Sequence, residues 1–174
     1  QDSGINENGN FSIRRARLVV QGEISNRVSL YLQGDLASTV TAQSSGESRL
    51  HYFQMRDAYA DVFLDEAKTF RVRLGQSKVP FGWENLQSSQ NRVPLDRTDA
   101  INQPVPGERD LGVVAYYTPP KIQAIWVELA KDGQKLFGNY GAVGFGVYNG
   151  QSINRTERNG TYMLVGLATM PIRL

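Results

Sequence analysis

Apolar and polar residues alternate singly along most of this chain. From Phe70 to Gly75 the alternation is strict, with Phe70, Val72 and Leu74 on one face and Arg71 and Arg73 on the other. A strand sends successive side chains to opposite sides, so this period predicts β-structure. Phe11 to Ser25 repeats it, setting Ala16, Leu18, Val20 and Ile24 against Arg15, Arg17, Gln21 and Glu23. In Arg27 to Leu36, Val28, Leu30, Leu32 and Leu36 oppose Ser29, Tyr31, Gln33 and Asp35. His51 to Leu64 sets Ala58, Ala60, Val62 and Leu64 against Asp57, Tyr59 and Asp61. Thr69–Val79, Leu111–Tyr117, a glycine-rich Tyr140–Asn149 and Tyr162–Thr169 complete seven predicted strands. Two architectures produce such a pattern: a soluble sheet with one buried face, and a membrane barrel with apolar residues on lipid and arginines in a wet lumen.

After Pro119 and Pro120 the period changes. Ile122, Ile125, Trp126 and Leu129 recur at helical spacing, which predicts a short amphipathic helix over about 120–131. Proline is tolerated in its first turn, where the missing N–H has no partner anyway. The connections also alternate. Those at 25–27 and 65–68 are short and the one at 117–138 carries the helix, whereas 37–48, 80–110 and 150–160 are long and polar. Outer-membrane barrels pair short periplasmic turns with longer external loops. In that frame the first strand runs inward from outside, and seven strands is an odd number where such barrels have even ones. Both features lead us to expect an internal piece of a larger barrel, with 1–174 forming part of one domain.

Composition narrows the choice. No run approaches the ~18 apolar residues of a membrane helix, which rules out a helical bundle and leaves a barrel open. The chain has no cysteine, so it has no disulfide framework and no thiolate metal site. A net charge of +2 gives no case for nucleic acid. His51 is the single histidine, leaving little for a zinc site or a histidine-based triad. Asp57/Asp61 and Asp65/Glu66 offer oxygen ligands for calcium, but solvated or salt-bridged carboxylates are the better reading. We therefore expect no metal, no cofactor and no enzyme.

Several segments in order carry a resemblance: FSIRRARLVVQGEI, MRDAYADV, VRLGQSKVPFGWE, PLDR at Pro94–Arg97, ERDLGV at 108–113, and GFGVYNGQ at 144–151. Together they resemble the successive signature segments of the phosphate-selective porins O and P. TPPKIQAIWVELAKDG resembles a helical insert of some members. The resemblance implies an all-β fold, an antiparallel transmembrane β-barrel of about sixteen strands when intact, of which this chain covers roughly the N-terminal half. It further implies a homotrimer in the bacterial outer membrane, a short periplasmic helix, and a third loop at 80–110 that narrows the pore.

Function would then reside in the charged wall of a water-filled channel for small hydrophilic solutes, mildly anion-preferring, with phosphate-like anions among them. Strand parity names Arg15, Arg17, Arg71, Arg73, Asp57 and Asp61 as pore-lining, and Arg27 on the same side nearer the periplasmic end. Guanidinium groups stay charged and donate several hydrogen bonds to an oxyanion. The competing structural role is a cross-strand salt-bridge ladder, and the two are compatible. In the loop, Glu84, Arg92, Asp96 and Arg97 are the constriction candidates, with Arg97 better suited to anchoring the loop. The charges of 80–110 sum to −2 and include no lysine, which argues against strict phosphate specificity. Parity puts Lys78 on the lipid side, and Tyr116, Tyr117, Trp83 and Phe81 near strand ends, where aromatic girdles sit. A non-conducting structural or receptor barrel and a soluble β-barrel or sandwich binding protein are the rival readings.

Overall fold

The computed structural model describes residues 16–36, 53–88, 97–105, 107–133, 141–156, 158 and 160–171. Among them are seven strands: β1 (Arg17–Ser25), β2 (Val28–Asp35), β3 (Gln54–Phe63), β4 (Phe70–Lys78), β5 (Arg109–Tyr117), β6 (Val143–Tyr148) and β7 (Met163–Ala168). Each pairs antiparallel with its chain neighbour, giving one sheet in the order β1-β2-β3-β4-β5-β6-β7. The sheet is not closed within this chain; it is an open antiparallel meander of seven strands.

The hydrophobic faces are turned outward. Leu18 is 64% exposed, Val20 59% and Phe145 56%, while Asp61 and Arg73 on the opposite face are each 5% exposed. A soluble sandwich or carrier requires the reverse, because its apolar face must leave water. The sheet instead suits a hydrocarbon surround with its polar groups inside. No helix among the described residues is long and apolar enough to cross a membrane.

Local chemistry shapes the strand ends. In the β3–β4 turn, Asp65 accepts hydrogen bonds from Phe70 N (2.7 Å) and Thr69 N (3.0 Å). Donation by the Phe70 N–H holds its carboxyl below the ordinary range. This carboxylate, considered above for calcium, is therefore occupied by the turn. The predicted helix is present as α3 (Pro120–Lys131), and its Ile122, Ile125, Trp126 and Leu129 are half-buried. The Gln123 side chain donates to Thr118 O (2.8 Å) and Ala67 O (3.1 Å), holding α3 against the β3–β4 turn.

Two glycines are forced by close approach. Gly75 has φ +122°, and a Cβ there would sit 2.3 Å from the Ala58 carbonyl oxygen. At Gly112 a Cβ would lie 2.4 Å from the Tyr148 ring, which rests flat across the inner face. Tyr116 also points inward and is buried. This corrects its placement in an outer girdle: it pairs with Arg71 across β4–β5 and so shares the polar face. Tyr117 does face outward, packed on Phe70 with ring centroids 4.9 Å apart.

The described parts of the segment 80–110 hold two single-turn helices that its sequence does not predict, α1 (Trp83–Leu86) and α2 (Asp99–Asn102). Val79 and Val105 at its base join Val114, Tyr116, Tyr148 and Val165 in an apolar cluster on the inner face. The segment thus folds over the inside of β5–β7.

Candidate functional site: the arginine face

The inner face of β1–β5 carries several groups of ion pairs. Arg17 Nε lies 3.0 Å from Asp35 Oδ2 across β1–β2. Asp61 of β3 stands opposite Arg73 of β4 and takes two bonds from it, at 2.8 and 2.9 Å. The same carboxylate accepts from Arg71 Nη1 at 3.3 Å. Both guanidiniums also stack on tyrosines: Arg73 lies 3.8 Å over the Tyr59 ring and Arg71 4.6 Å over Tyr116. These contacts fix the planar groups in place.

A second centre lies toward the long-loop end. Arg109 Nε is 2.9 Å from both oxygens of Asp57. Glu108 then binds three arginines: Arg109 through Nη1, Arg56 Nη2 at 3.5 Å and Arg97 Nε at 3.6 Å. Burial alone raises the Glu108 carboxyl, but Arg109, Lys78, Arg97 and Arg56 together outweigh it and hold it at about 2, against 4.5 ordinarily. Because the folded value lies below the unfolded one, the stabilisation is complete above about pH 4.5 and is lost as the pH falls toward 2. In the intact protein with every tryptophan except Trp83 replaced by phenylalanine, the fluorescence of Trp83 on the same loop should stay constant from pH 7 to 5 and change between about 4 and 2. Glu108→Gln should lose about 3 kcal/mol of loop docking at neutral pH and flatten that profile.

Asn85, fully buried in α1, ties the loop to both adjoining strands. Its Nδ2 donates to Val79 O (2.7 Å) and Glu108 O (3.0 Å), and its Oδ1 accepts from Arg97 Nη1 (2.6 Å). Glu84 Oε2 accepts from Thr98 N and Oγ1 at 3.0 and 3.1 Å, stitching the two arms of the loop together. Lys78 Nζ donates to the carbonyls of Leu86 and Gln87. This corrects its lipid-side placement by parity.

Of the residues singled out from sequence, Arg17, Arg71, Arg73, Asp57 and Asp61 come together on the inner face. Glu84 and Arg97 lie within the loop's own bonding. Arg27 sits in the β1–β2 turn and donates to Leu64 O at 2.8 Å. Arg15, Arg92, Asp96 and His51 fall outside the described residues. Parity reasoning passed over Arg56. The β2–β3 register slips between Gln33 and Gly34, so Arg56 and Asp57 are both buried although adjacent. Arg109 was counted only toward the loop's charge balance. The available signal for Arg56, Lys78 and Arg109 was a charge on the lipid-side parity near a loop. Among the described residues, Arg17, Arg56, Arg71, Arg73, Lys78, Arg97 and Arg109 share this side with Asp35, Asp57, Asp61, Glu108 and Asp110, an excess of two positive charges.

A family model for phosphate-selective porin O and P matches residues 1–163. An uncharacterized protein of Aquifex aeolicus (strain VF5) is 31% identical over 97 residues. The aligned part is 50% of this chain and 23% of that protein, so the chain spans under a quarter of its relative's length. No solved structure matches.

Proposed function

Since the chain belongs to the phosphate-selective porin O and P family, we propose that the intact protein is a bacterial outer-membrane porin for passive diffusion of small hydrophilic solutes, with a mild preference for anions. The observation that carries this is the inverted sheet, with leucines and valines outside and an arginine-rich, charge-excess face inside.

The outer face supplies lipid contact, and closure of the barrel by further strands satisfies both sheet edges. The inner face supplies a fixed field. Small anions entering the lumen meet guanidiniums held by carboxylates and tyrosines, so no side chain has to reorganise as an ion passes. Asp61 and Glu108 each bridge more than one arginine, which lowers mutual repulsion while leaving net positive charge. The loop 80–110, with its Arg97–Asn85 and Arg97–Glu108 contacts, narrows the passage in this reading. The dense pairing tempers selectivity, so phosphate-like anions pass without a strict phosphate requirement. In this reading the protein is a homotrimer, as the family resemblance implies, and performs no catalytic step.

Reconstituted in planar bilayers, the intact protein should give stable channels with currents proportional to voltage. Folded, detergent-extracted protein that never conducts would instead indicate a structural or receptor barrel.

A further inference from the structure

A cavity of about 370 Å³ opens on the inner face of β1–β3, lined by Gln21, Glu23, Ser29, Tyr31, Tyr59 and Asp61. Its floor is built by register. Gln21 pairs with Tyr31 across β1–β2, and Tyr31 with Tyr59 across β2–β3. The two tyrosine rings are nearly parallel, with centroids 5.2 Å apart and planes 12° apart. Arg73 covers Tyr59 at 3.8 Å, so the aromatic row is braced at that end and finishes at Tyr31 beside Gln21.

We propose that this cavity is a subsite for a neutral sugar ring on the wall of the channel, an inference that rests on the channel reading above. The face of Tyr31 turned away from Tyr59, at the end of the stack, suits the C–H face of a pyranose, and amide, hydroxyl and carboxylate groups suit its hydroxyls. Gln21 is exposed and Ser29 half-buried, so both are within reach of a solute. The lining is the wrong one for an anion. Two carboxylates border it, Asp61 held by Arg71 and Arg73, and Glu23 held at one oxygen by Lys68 at 2.7 Å. The three cations that hold these carboxylates are not part of the lining, so the cavity presents no cation of its own and offers hydrogen-bonding capacity with an aromatic platform. The volume falls within the range of small-molecule sites and accommodates one sugar ring.

The test uses the intact protein in planar bilayers, with potassium chloride carrying the current and maltose as probe. Maltose should reduce the current in a saturable manner. Tyr31→Ala should raise the half-blocking concentration about tenfold or more, and Tyr31→Phe, which keeps the ring, should stay near the parent value. Gln21→Ala, at an exposed position, should raise it severalfold without disturbing the tyrosine stack. Conducting channels indifferent to maltose would overturn the subsite and leave the channel reading intact. Phosphate blocking as well as maltose, with the same sensitivity to Tyr31→Ala, would overturn the assignment to neutral solutes. If no channels form, saturation-transfer NMR of the detergent-solubilised protein with maltose decides the subsite alone: transfer lost in Tyr31→Ala supports it, and no transfer overturns it.

Discussion

Asp61→Asn should lower the stability of the intact barrel by about 3–5 kcal/mol, because it leaves two buried arginines without their shared carboxylate. Arg71 and Arg73 are nearly inaccessible, and the Asp61 carboxylate bonds to both. The amide retains a shape similar to the carboxylate but cannot balance either charge. Urea titration of the folded protein in detergent, followed by tyrosine and tryptophan fluorescence, reads the loss. Asp61→Glu should recover much of it. Equal stability of the Asn variant and the parent would mean that water in the lumen, rather than Asp61, solvates these guanidiniums. The same substitution removes one negative charge from the wall, so any surviving channels should prefer anions more strongly.

Arg71→Ala combined with Arg73→Ala should act in the opposite direction on selectivity. The described face has an excess of two positive charges, and this pair removes both. It also exposes the Asp61 carboxylate to the lumen. The zero-current potential in a salt gradient should therefore collapse to near zero or cross to the cation side, with the barrel still folded by circular dichroism. Retention of the parental anion preference would place the selecting charges elsewhere, in Arg17 or in the Glu108 centre. Opposite shifts from Asp61→Asn and from the double arginine variant would show that one ion-pair cluster both stiffens the wall and sets its field.

The strands were legible because their signal is local. Val72 and Leu74 against Arg71 and Arg73 repeat with period two, and a pleated strand has no other way to arrange them. Turn chemistry at Asp65 and the prolines before Lys121 marked where strands stop. The direction of the faces was not local. Alternation alone serves a soluble sheet and a barrel equally, and only the burial of Asp61 and Arg73 beneath exposed leucines separates them.

The candidate site was half legible for the same reason. Arg71, Arg73 and Asp61 follow strict parity and were found. Arg56 was not, because one extra residue in β3 opposite Gln33 and Gly34 resets the parity. Arg109 and Lys78 follow the lipid-side parity by count yet bond to Asp57 and to loop carbonyls, where folding of the loop overrides the strand's period. The two short helices inside 80–110 rest on Asn85 and its tertiary bonds to Val79, Arg97 and Glu108. No pattern of four residues could announce those long-range partners.

The most direct measurement is the zero-current potential of the intact protein in a planar bilayer under a potassium chloride gradient. The arginine excess predicts stable conduction with a potential displaced toward the chloride equilibrium value. A potential displaced toward the potassium value, or folded protein that carries no current, would contradict the account.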